Sequence, residues 1–94
     1  MTIDDIKKSI EPILKKYDIS QAGIFGSYAN ESQNSDSDID ILVKINSKIS
    51  LLDFVRIKLE IEDKLNKNID LVEYASIKPR LKKRILNEEV RIYG

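Results

Sequence analysis

An α/β (α+β) domain with a small mixed β-sheet is the fold class this chain predicts. Three observations predict it. Segments with helical periodicity alternate with short apolar segments of strand character along the chain. The strand segments are separated by turn residues and by helices rather than by tight hairpin turns alone. The 94 residues are enough for one small core, so residues 1–94 are read as one domain.

Thr2 opens the first helix, with Asp4 and Asp5 favourably placed near its positive end. Ile3, Ile6, Ile10, Ile13, Leu14 and Tyr17 follow helical spacing, although Pro12 is expected to kink or restart the helix. Residues 19–25 (ISQAGIF) read as a strand leading into Gly26. A short helical turn is expected from Ser27 to about Asn30, then a polar Ser/Asn-rich loop over residues 31–37. Ile39 to Ile45 is a second strand, nearly continuously apolar after Asp40, as for a strand covered on both faces. Ser50 caps a helix from Leu51 to about Leu65, whose repeat is read as Leu51, Leu52, Val55, Leu59, Glu62 and Leu65, with charges on the other faces. Asn66-Lys67-Asn68 ends it, and Ile69 to Glu73 is a third strand. Ser76 is the expected cap of a last helix opening at Lys78-Pro79 and running through Leu81, Ile85 and Leu86. The tail, Val90 to Tyr93, is too apolar to float free and is expected to pack on the domain or on a partner.

Composition removes several chemistries. There are no cysteines and no histidines, hence no disulfide, no thiolate metal site, no histidine base and little scope for zinc. No apolar run approaches the length of a membrane span, the N-terminus lacks a signal-peptide pattern, and a cytoplasmic protein is expected. Sixteen acidic and sixteen basic residues cancel, which argues against direct nucleic-acid coating. The charges are uneven, however. Residues 78–84 (KPRLKKR) are strongly basic, read either as a solvated helix face or as a segment facing phosphate or a partner.

The chemistry is concentrated in residues 26–43, GSYANESQNSDSDIDILV. Asp38 and Asp40 are spaced i, i+2 at the start of a strand, so both carboxylates fall on one face. Two like charges side by side raise each other's pKa unless a cation lies between them, and Mg²⁺ is the economical one. Gly26-Ser27 suits a tight turn whose backbone N–H groups approach a phosphate. Asp70, a lone carboxylate at the start of an apolar strand, is the candidate third ligand; the other reading is an edge-strand charge facing water. An EF-hand loop fails, because its sixth and twelfth positions hold Ile41 and Ser47 in place of Gly and Glu.

Gly26-Ser27, ten residues, then Asp38-x-Asp40 resembles the signature of the DNA polymerase beta-type nucleotidyltransferase superfamily. The length and ending resemble its minimal nucleotidyltransferase (MNT) branch, commonly antitoxin partners of HEPN-domain ribonuclease toxins. The resemblance implies the nucleotidyltransferase fold, with the active site at one end of the sheet. It implies Asp38, Asp40 and Asp70 as Mg²⁺ ligands, Asp38 and Asp40 as catalytic residues, and Gly26 and Ser27 as the cradle of the ATP phosphates. The implied activity is AMP transfer from ATP to a tyrosine hydroxyl of a cognate HEPN toxin, in a homo- or hetero-oligomer. The alternatives are an antitoxin acting by binding alone and, with less support from so short a chain, a transferase for a small molecule. One departure stands out: the family often follows Gly-Ser and a small residue with Arg-Gly-Glu, and here Ala29 precedes Asn30-Glu31-Ser32. The bidentate phosphate contact of that arginine would then have to come from Lys44, Arg80 or Lys83.

Overall fold

The computed structural model describes residues 2–29 and 38–94, and of Ser27 the backbone alone. Its elements in chain order are α1 (Ile3–Lys16), β1 (Ile19–Phe25), a 3-10 turn (Gly26–Tyr28), β2 (Ile39–Ile45), α2 (Leu51–Leu65), β3 (Ile69–Glu73), a second 3-10 turn (Tyr74–Ser76), α3 (Pro79–Glu88) and β4 (Val90–Tyr93). The strands form one mixed sheet in the order β3-β2-β1-β4. β1 is antiparallel to both β2 and β4, and β2 is parallel to β3. A parallel pair needs a crossover, and α2 supplies it. The tail is therefore neither loose nor a partner segment: it closes the sheet edge beside β1. The predicted loop 31–37 lies outside the described residues.

α1 begins with a reciprocal cap. The Thr2 hydroxyl accepts from the Asp5 N–H at 3.1 Å, and the Asp5 carboxylate accepts from the Thr2 N–H at 2.9 Å. Pro12 does not break the helix, which runs unbroken to Lys16. The carbonyl deprived of a donor is that of Lys8, four residues back, and both residues are solvent-exposed, so water can satisfy it. Ser50 caps α2 as expected, accepting from the Asp53 N–H at 3.1 Å, and Asn66 ends it in the left-handed conformation at φ 54°. Ser76 is not the cap of α3. It belongs to the 3-10 turn, Lys78 holds the cap position without a side-chain hydrogen bond, and Pro79 starts the helix.

Period-two alternation divides the sheet into two faces. Ala22, Ile24, Ile39, Ile41, Val43, Ile69 and Leu71 pack against Ile6, Ile10 and Leu14 of α1 and Ile57, Ile61 and Leu65 of α2. An irregularity in register between Ile19 and Gln21 lets Ile19 join the same side as Ala22. On the opposite face Leu42 is fully buried, which accounts for the unbroken apolar run of β2. The expected apolar face of α2 needs correction. Phe54, Ile57, Ile61 and Leu65 face the core, whereas Leu51, Leu52, Val55 and Leu59 are exposed. α1 and α2 are further tied by Glu60, which accepts from Lys16 at 3.0 Å and from the Tyr17 hydroxyl.

Candidate active site

The face away from α1 and α2 carries the polar chemistry. Register alone assembles it: Phe25 of β1 lies opposite Asp40 of β2, and Asp40 lies opposite Asp70 of β3. Side chains directly opposite each other share a face, and neighbouring strands are about 4.8 Å apart. Asp40 and Asp70 are therefore neighbours at the end of the sheet where β1 finishes and β2 and β3 begin. Asp38, two residues before Asp40, precedes the strand and is exposed. The i, i+2 spacing and the lone carboxylate in β3 thus meet at one place. Asp70 does lie on an edge strand and is exposed, so both sequence readings describe part of its position.

Gly26 closes the site from the β1 side. Its φ of 73° lies in the left-handed region, and any Cβ there would collide with the Asp40 carboxylate, reaching 3.2 Å from its Cγ. The Ala29 N–H donates to the Gly26 carbonyl at 3.1 Å, so the chain turns sharply beside the carboxylate. Gly26→Ala is expected to lower transfer activity about tenfold or more while costing about 1 kcal/mol in stability, because the backbone is strained and Asp40 must move. Parallel activity and chemical-denaturation measurements check both. The Ser27 hydroxyl and Asn30 fall outside what is described.

The Asp40 carboxyl holds its proton more tightly than an ordinary carboxylate. Burial is the main cause, followed by the charges of Asp70 and of Asp38. By donor type the set fits a hard divalent cation: three carboxylates at one sheet end, with the Asp40 carboxylate seated against Gly26 where a Cβ would not fit. Among the described residues no three such side chains are gathered into a ready metal-holding group.

Sequence reading missed a second polar cluster on this same face. Glu89, just before β4, has a side chain only 6% exposed. It lies over Gly23, whose missing Cβ leaves room for it. The Tyr74 hydroxyl donates to Glu89 Oε2, and Arg91 Nε lies 3.4 Å from the same oxygen. The signal was available, since Glu89 is a carboxylate abutting an apolar strand, as Asp70 is. The basic run 78–84 lies on α3, which buries none of its side chains; Arg80, Lys83 and Arg84 line a shallow depression along it.

Comparison with known proteins agrees with this layout. Residues 8–94 match the family described as polymerase beta, nucleotidyltransferase. A Methanocaldococcus jannaschii protein provisionally named a protein adenylyltransferase is 52% identical over 92 residues, covering 98% of this chain and 99% of its own. The protein adenylyltransferase MntA of Thermococcus cleftensis is 30% identical over 96 residues, covering 98% of this chain and 97% of its own. A solved structure provisionally named a minimal nucleotidyltransferase superposes with a TM-score of 0.82 at 28% identity, over 96% of this chain and 95% of its own. A toxin–antitoxin crystal structure with AMP-PNP contains a chain of the same fold, with a TM-score of 0.82 at 22% identity, over 94% of this chain and 73% of that one. With a family match across nearly its whole length and relatives that align end to end, the chain belongs to the polymerase beta-type nucleotidyltransferase family.

Proposed function

We propose that this nucleotidyltransferase is a protein adenylyltransferase of the antitoxin type, moving AMP from ATP to a tyrosine hydroxyl of a cognate HEPN ribonuclease toxin. The observation that carries the reading is the register that aligns Asp40 with Asp70 on one face, with Gly26 beside Asp40 and Asp38 one strand step away. Relatives named as protein adenylyltransferases support the protein acceptor. Solved neighbours named as MntA–HepT complexes support the class of partner.

Asp38, Asp40 and Asp70 would hold Mg²⁺, which when bound neutralises charge at the reacting phosphate. Backbone N–H groups at the Gly26-Ser27 turn cradle the β- and γ-phosphates. The acceptor oxygen attacks the α-phosphorus, the bond from that phosphorus to the bridging oxygen breaks, and pyrophosphate departs. The hydroxyl proton passes to the carboxylate of Asp40 or Asp70. The AMP placed on the toxin adds bulk and negative charge where RNA would bind.

Intact-mass analysis tests this. A HEPN-domain toxin encoded beside the chain is incubated with it, ATP and Mg²⁺. The expected result is a mass increase in AMP-sized steps that Asp38→Asn removes. A stable complex whose mass never rises would overturn the transferase reading and leave an antitoxin that acts by binding alone.

A further inference from the structure

The carboxylate face carries a hydroxyl of its own. Tyr74 lies in the 3-10 turn after β3, and that turn packs on β2. Its hydroxyl donates to Glu89 Oε2, and Arg91 Nε lies 3.4 Å from the same oxygen. A nucleophile hydrogen-bonded to a carboxylate, with a third group orienting that carboxylate, is the arrangement that activates a hydroxyl for attack.

Position gives this arrangement a use. Glu89 fills the space that the missing Cβ of Gly23 leaves, so the Tyr74 hydroxyl is held over Gly23. Gly23 is level with Leu42, and Phe25, one pleat further along the same face, is level with Asp40. Positions 23 and 40 are therefore diagonal neighbours across the β1–β2 pair, with Cβ positions about 7–8 Å apart. That gap has room for little more than one phosphate group and its ion. The other three tyrosines are turned away from this face: Tyr28 is in the core, and Tyr17 and Tyr93 pack against it. Tyr74 stands outside that cluster and is half-buried.

We propose that Tyr74 is an acceptor for the chain's own transferase activity, so that without its partner the protein adenylylates itself in cis. The proposal rests on the transferase reading above and adds a modification site to it. The Tyr74 oxygen attacks the α-phosphorus of an ATP held at Asp38, Asp40 and Asp70, and the hydroxyl proton passes to the Glu89 carboxylate. The bond from the α-phosphorus to the oxygen that bridges it to the β-phosphorus breaks, and pyrophosphate departs. The product is a tyrosine phosphodiester. Its AMP stays on the face that an incoming acceptor must reach, so self-modification closes the site to the toxin.

Intact-mass and peptide mass spectrometry of the full chain with ATP and Mg²⁺, without toxin, is the test, run beside a sample that contains the toxin. The expected result without toxin is one AMP-sized step that maps to Tyr74. Its rate constant is independent of chain concentration, as for a reaction within one molecule. Tyr74→Phe, with an unchanged circular-dichroism spectrum, loses the step and still modifies the toxin. Glu89→Gln keeps an acceptor for the Tyr74 hydroxyl but cannot take its proton, and slows the step about a hundredfold or more. A chain that modifies the toxin and never itself overturns the proposal and leaves the transferase reading standing. A chain that modifies neither overturns both. An AMP found on another residue overturns the proposal, as does a rate constant that rises with chain concentration.

Discussion

Asp40→Asn is expected to slow nucleotidyl transfer by about 10²–10³-fold while making the metal-free protein harder to unfold at neutral pH. The two effects share one cause. The Asp40 carboxylate is partly buried and faces the negative charges of Asp70 and Asp38, so its ionised form is held at a cost to the fold. The ordinary carboxylate value is 3.8, and the folded value lies above it. In the window just above 3.8 the folded chain binds more protons than the unfolded one, so stability falls as pH rises through that window. The penalty persists at neutral pH and vanishes below both values. Asparagine has no charge to hold, so the variant should be the more stable protein at neutral pH and lose that advantage in acid. Losing a ligand of the proposed Mg²⁺ site removes roughly 3–4 kcal/mol of transition-state stabilisation, about a 10²–10³-fold fall in rate. Thermal melts across pH 3 to 8 with a chelator, beside single-turnover transfer assays, check both. Adding Mg²⁺ should raise the wild-type melting temperature and leave the variant nearly unmoved. A variant that transfers AMP at the wild-type rate would remove Asp40 from the mechanism.

Gly23→Ala should be among the most destabilising single-methyl changes available in this chain. The position needs no unusual backbone angle; it needs space. A Cβ on residue 23 would lie 2.5 Å from Glu89 Cδ and 2.6 Å from its Cγ, and this part of the side chain is not a free flexible tip. Tyr74 and Arg91 hold the carboxylate, and its surroundings leave it 6% exposed. The methyl therefore either forces the backbone of β1 away from β4 or expels Glu89 from its two partners. Overpacking with loss of a charge-assisted hydrogen bond costs about 2–4 kcal/mol. For a domain of this size that is a fall of roughly 10–25 °C in melting temperature. Glu89→Ala alone is also destabilising, because the Tyr74 hydroxyl and Arg91 lose their acceptor. The double variant should lose clearly less than the two single losses added together, since the clash disappears with the side chain. Strict additivity in that cycle would show that Glu89 is not what the methyl meets.

Glu89 also shows where reading the sequence reached its limit. Local signals are carried by neighbours in the chain, and those signals were legible. The Thr2 and Ser50 caps, the Asn66 break, the bounds of β1, β2 and β3, and the buried ridge of α1 all follow from periodicity and turn chemistry. The tail 90–93 was recognised as apolar, but its pairing with β1 depends on residues some seventy positions earlier. Ser76 has the chemistry of a cap, yet the tight turn after β3 takes that residue and hands the helix start to Pro79.

By itself the sequence determined which residues can do chemistry. The spacing of Asp38 and Asp40, the glycine before Ser27 and the lone carboxylate of Asp70 are covalent facts, and they drew the candidate site before any fold was known. The tertiary structure decided which of these meet. A parallel β2–β3 register puts Asp70 level with Asp40, whereas a shift of one residue would send Asp70 to the opposite face among the core isoleucines. It also decided which apolar face of α2 is covered. Two stripes on one helix have comparable hydrophobicity, and only the side packed on the sheet and α1 is removed from water. The other stays in water.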